Sequence, residues 1–135
     1  MRRQRGFVLH GPLLLWGLSL LGCGSGTQLE IISISPASAT ALDSASGTVQ
    51  FIATGTYTDR RIVSPLPVFW GEHAPWVEVP DRVGVTLSST GLAQCTTFKG
   101  TLPIVAIAPK DPGTPLSMMT IGTPVVMGTS LLTCK

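Results

Sequence analysis

Glu72 and His73 stand side by side, with Glu78 and Asp81 a few residues on, and together they hold the residue types of a metal site. One imidazole with two or three carboxylates can ligate a transition metal, but a specific site needs convergent ligands, and this spacing matches no ligand motif. The segment Gly71 to Pro80 contains Pro75 and Pro80 and reads as an exposed loop in which such charges are solvated. No metal is expected there. Asp59 and Asp111 fall in turns and lack the Asp-x-Asp-x-Asp pattern of a calcium loop. Serine is common, yet there is no Gly-x-Ser-x-Gly elbow, no Gly-rich phosphate loop and no supported Ser-His-Asp arrangement. The expectation is a protein with no cofactor that is not an enzyme. Trp76, beside His73 in the same loop, is the candidate ligand contact. Exposed, it would stack on a glycan or anchor a partner; folded back, it would cover an edge of the domain.

The N-terminus carries an address. Met1 to Gly6 holds Arg2, Arg3 and Arg5, and Phe7 to Leu21 is apolar apart from His10, Gly11, Pro12, Gly17 and Ser19. Small residues follow at Gly22 to Gly26, which completes the order of a secretory signal. As a membrane-spanning helix the run is short and is broken by Pro12. Leu20-Leu21-Gly22-Cys23 resembles the lipobox of bacterial lipoproteins. That resemblance implies a signal peptide over 1–22, triacyl attachment at Cys23 and, with Gly24 rather than Asp next, the outer membrane.

The whole chain has 135 residues, 44% hydrophobic and 12% charged, with a net charge of +2. So few charges exclude a disordered polyelectrolyte, and +2 is too small for a nucleic-acid binder. Loss of 1–22 leaves six basic residues (Arg60, Arg61, Arg82, Lys99, Lys110 and Lys135) against seven acids, a net charge of −1. A chain of the remaining size buries about two-thirds of its unfolded surface, enough for one core. With Cys23 consumed by lipid, Cys95 and Cys134 are the one pair left for a disulfide in an oxidising compartment. The alternative is two unpaired buried thiols.

What must position these residues is a set of strands. After residue 26 there is no helical period, and short β-branched runs alternate with Pro and Gly, which predicts an all-β domain. Gly24 to Gln28 is a flexible tether. Strands are predicted at Leu29–Ser35, Thr48–Thr58, Leu66–Trp70, Val83–Leu87, Gly91–Cys95, Leu102–Ala108 and Val125–Cys134. Val49, Phe51, Ala53 and Tyr57 share one face of the second, and Ser130, Leu132 and Cys134 one face of the last. Trp70 reads as core, and Pro109 to Pro115 as a loop. About seven strands at this spacing suggest a β-sandwich.

Ile34-Ser-Pro-Ala-Ser-Ala-Thr40, Gly47 to Asp59, Val68-Phe-Trp70 and Ser88-Ser-Thr-Gly-Leu92 resemble successive motifs of bacterial Ig-like domains of group 2, the module of invasin- and intimin-type surface proteins. The resemblance covers 29–135. It departs in the length of two segments, between Trp70 and Ser88 and from Pro109 to Pro124, and in the cysteine pair. It implies an Ig-like β-sandwich in a lipid-anchored envelope protein, with a non-catalytic binding, adhesion or structural role and a protein partner. The alternative is a small carbohydrate-binding lipoprotein that uses the loop around Trp76. Neither reading involves nucleic acid.

Overall fold

Alternation of apolar and polar residues becomes strand structure throughout the computed structural model, which describes residues 26–42, 47–71 and 84–135. Ten strands lie among these residues: β1 (Leu29–Ser35), β2 (Ser38–Ala41), β3 (Thr48–Gln50), β4 (Ile52–Tyr57), β5 (Ile62–Val63), β6 (Phe69–Gly71), β7 (Val85–Leu87), β8 (Leu92–Cys95), β9 (Gly100–Pro109) and β10 (Val125–Cys134). A single 3-10 turn, Leu116–Met118, interrupts the loop between β9 and β10.

Two layers result. One has the order β2-β10-β9-β6, built on an antiparallel β9–β10 ladder that runs from Val125 opposite Pro109 to Cys134 opposite Gly100. The other combines β1-β4-β5 with β3-β8-β7. Only Phe51 separates β3 from β4, so residues 48–57 act as one long strand serving both triplets. Counted this way, β1, β3–β4, β8 and β7 form one face and β6, β9 and β10 the other, which is the strand order of an immunoglobulin sandwich. The seven strands expected from sequence are thus present. The count rises because β2 forms as an additional strand after Pro36, because β3 and β4 are split at Phe51, and because β5 adds a two-residue partner to β4.

Pro36 has no N–H to extend the β1 ladder, and there the chain changes layers. β1 pairs antiparallel with β4, whereas β2 lies parallel to the end of β10, with Ser38 opposite Leu131. The crossing is held by Ser130, whose hydroxyl donates to the Pro36 carbonyl at 2.7 Å. Ser130 is 2% exposed and is the buried polar side chain among the described residues. Its hydrogen bond removes the cost of burying it.

Phe51, Ala53, Ala93, Leu102, Ile104, Ala106 and Leu132 fill the space between the layers. Their alternate spacing within each strand turns one side of each sheet inward. Pro103 does not break β9: it is exposed opposite Leu131, beyond the point where the described part of β6 ends opposite Val105. Gly128 marks a close approach of the layers, since a Cβ there would lie 2.6 Å from the Ile32 carbonyl oxygen. Cys95 of β8 and Cys134 of β10 are joined in a disulfide with their Cα atoms 5.8 Å apart, so a covalent bond ties one layer to the other inside the core.

Candidate functional site: a groove beside Trp70

β5 and β8 both pair with the edge of the long strand 48–57 that β1 does not use, and between them no strand among the described residues covers that edge. The Phe51 N–H donates to the Gly91 carbonyl at 2.8 Å, and two residues on the Ala53 carbonyl accepts from the Leu66 N–H at 2.8 Å. No strand takes the Phe51 carbonyl in between. The Gln50 side-chain amide does so instead, donating to it at 2.9 Å and to the Thr90 carbonyl at 2.8 Å. This gap is the mouth of a groove of about 580 Å³, within the usual range of ligand sites.

Phe51, Ala53, Leu66, Val68 and Trp70 form its apolar base. Pro65 and Pro67 bracket Leu66 along one wall, and Ser89 and Thr90 stand on the other. The second wall is the turn between β7 and β8, shaped by Ser88, whose hydroxyl accepts from the N–H groups of Thr90 at 3.2 Å and Leu92 at 3.0 Å. Gly91 completes that turn at φ +83°, a conformation that favours glycine. Its missing Cβ matters a second time, because one would stand 2.9 Å from the Trp70 ring and 2.5 Å from the Phe51 oxygen. The indole therefore rests against bare backbone. Ser64, on the proline wall, is held by a 2.9 Å hydrogen bond from the Thr54 hydroxyl.

Among the described residues the lining contains amides, hydroxyls, prolines and aromatic carbon, with no carboxylate, imidazole, amine or thiol. Such a surface suits binding by apolar burial and hydrogen bonding. Among the described residues, no group of three or more His, Cys, Asp or Glu comes together as a metal ligand set.

The sequence places Trp70 in the core. It packs against the core but is only half-buried, and its remaining surface faces the groove. Of the other residues singled out by sequence, Cys95 and Cys134 are brought together, whereas Cys23, His73 and Trp76, with Glu72, Glu78 and Asp81, lie outside the described residues. The groove itself was not foreseen. Its one local signal is Pro65-Leu66-Pro67, two prolines that keep a segment out of the ladder beside an apolar residue that stays in the core.

No family model matches the chain, and comparison with curated proteins also finds no match.

Proposed function

We propose that this chain is a lipid-anchored module of the bacterial cell envelope, of the group 2 bacterial Ig-like type, that binds a protein partner and carries out no catalysis. The groove beside Trp70 carries the binding part of this reading. It is apolar, has an aromatic base and carries no titratable group among the described residues, which suits an apolar or proline-containing side-chain cluster of a partner better than a polar substrate. The immunoglobulin strand order of 29–135 supports the family resemblance of the motifs. The anchoring part is supported by Leu20 to Cys23 and by the start of β1 at Leu29, which leaves Gly24 to Gln28 as the tether.

Two measurements on intact cells test it. Cys23→Ala is expected to move the protein out of the membrane fraction and to remove the mass of the acyl chains. A photo-activated cross-linker at Thr90, on the groove rim, is expected to capture a discrete protein partner that the same cross-linker at Thr101, on the far end of β9, does not capture. Identical capture from both positions would refute the groove as the binding surface, and unchanged fractionation would refute the anchor.

A further inference from the structure

The chain enters the fold at one end of the sandwich, and that end is built from three segments bonded to one another. The Leu29 N–H donates to the Lys110 carbonyl at 2.8 Å, and the Thr58 N–H to the Gln28 carbonyl at 2.9 Å. The Lys110 N–H in turn donates to the Pro124 carbonyl at 2.8 Å, closing the loop between β9 and β10 at its base. Entry strand, β4–β5 turn and β9–β10 loop therefore share one pole. The disulfide is at the other, where Cys134 lies opposite Gly100 and Ala41.

Segments rooted at the entry pole carry the three most exposed large hydrophobics among the described residues. The four most exposed large hydrophobics among the described residues are Ile121 at 82%, Met118 at 68%, Ile62 at 66% and Leu42 at 62%. Ile121 and Met118 are in the β9–β10 loop, and Ile62 follows directly on the β4–β5 turn. Singly, exposed apolar residues need no explanation, but three on two segments rooted at one end of a domain call for one. The loop holds them in place. Asp111 Oδ1 accepts from the Gly113 N–H at 2.9 Å, the Met118 N–H donates to the Pro115 carbonyl at 3.0 Å, and the Thr123 N–H to the Thr120 carbonyl at 3.0 Å. Leu116 turns back to line hollows against Leu66 and Pro67, which pins the loop to the core while Met118 and Ile121 remain outside. A loop of this length with its own internal bonding is typically functional.

Exposed bases stand at the same pole. Arg60 and Arg61 occupy the turn, Arg61 with its guanidinium 4.4 Å over the Tyr57 ring, and Lys110 begins the loop. The acids there, Asp59 and Asp111, accept hydrogen bonds from the backbone N–H groups of Arg61 and Gly113, and Glu30 lies on β1 just below. Exposed apolar side chains on segments that also carry Lys and Arg are a composition suited to the headgroup region of a bilayer.

We propose that this pole docks on the membrane, with Met118 and Ile121 inserted at the interface and Arg60, Arg61 and Lys110 against lipid phosphates. The inference rests on the lipid anchor at Cys23. From Cys23 to Leu29 the chain can span only ~20 Å when fully extended, so an anchored domain is held within reach of the bilayer with this pole nearest to it. No helix among the described residues is long and apolar enough to cross a membrane, and the proposed contact requires none.

The test uses the lipidated full-length protein in vesicles of phosphatidylethanolamine and phosphatidylglycerol. Single cysteines at Met118, Ile121 and Leu131 carry an environment-sensitive fluorophore, the native Cys95 and Cys134 being blocked by their disulfide. Leu131 is exposed on β10, six residues and ~20 Å beyond Val125 along the strand. Labels at 118 and 121 are expected to shift to the blue and be quenched by a lipid-borne quencher at headgroup depth, and the label at 131 to do neither. In a Met118→Ser/Ile121→Ser variant with an unchanged thermal transition, a label at Ser117 is expected to lose the quenching seen in the parent. Equal, water-like emission at all three positions would overturn the docking and leave the anchor intact, and equal quenching at all three would overturn the choice of pole. Absence of acyl-chain mass from Cys23 of the purified protein would instead overturn the anchor on which the inference rests.

Discussion

Replacing Cys95 and Cys134 together by alanine measures what the bond between the layers contributes. The two cysteines are 39 positions apart, and closing a loop of ~40 residues removes about 4 kcal/mol of unfolded-state freedom at 25 °C in the chain-entropy treatment. Both side chains are buried, so the substitution also removes two sulfur atoms from a packed space, adding about 1 kcal/mol for lost burial and small cavities. The sum is a large part of the 5–15 kcal/mol by which domains of this class are stable. At about 4 °C per kcal/mol for a domain of this size, the melting temperature should fall by roughly 15–20 °C.

Circular dichroism melts of parent and double variant, each with and without reductant, provide the readout. Reductant should lower the parent's transition and leave the variant's unchanged. The loop between the cysteines contains the whole β9–β10 hairpin, the longest ladder among the described residues, and this is where the reasoning is exposed. If the unfolded chain already keeps that hairpin, its ends are near each other before the bond forms and there is little freedom left to remove. A double variant that melts cooperatively within ~3 °C of the parent would refute the entropic account.

Gly128→Ala places a Cβ 2.6 Å from the Ile32 carbonyl oxygen and 2.8 Å from its Cγ2. Relief requires β1 and β10 to separate, so a loss of about 1–3 kcal/mol is expected from denaturant unfolding. A variant as stable as the parent would show that the layers are not in contact there. Ser130→Ala leaves the Pro36 carbonyl without its 2.7 Å donor where the chain changes layers. A cost of about 1–3 kcal/mol is expected by the same assay, together with faster amide exchange in β2.

Elements with enough alternation to show their face were legible in the sequence. β10 is legible as Val125–Cys134 with Ser130, Leu132 and Cys134 on one face, and all three are buried. Thr48–Thr58 was read as a single strand, and physically it nearly is one. Its break at Phe51 arises because that N–H turns to Gly91, a partner forty residues on. β2 and β5 were missed, since four and two residues are too short to express a period and each exists through its neighbour, β10 or β4. Trp70 was placed in the core by its type, but its exposure depends on a gap between β5 and β8 that only the pairing creates. The apolar residues Leu116, Met118 and Ile121 were visible in a segment read as a loop, but not the end of the domain to which that loop belongs.

Leu116 connects the two proposed surfaces. It lines one end of the groove and also the hollow formed by Leu66, Pro67, Pro112 and Pro115, and two residues on its loop presents Met118. A partner side chain that fills the groove up to Leu116 either packs on it or displaces it. Displacement would move Met118 and Ile121, because the 3-10 turn carries Leu116 and Met118 together. Linkage then runs both ways: if groove occupancy weakens the contact of the loop with lipid, membrane docking must weaken partner binding by the same factor. Packing without displacement gives no such coupling. Partner affinity measured with the protein on vesicles and in detergent therefore distinguishes a groove that shares its wall with the membrane-facing loop from one that merely adjoins it.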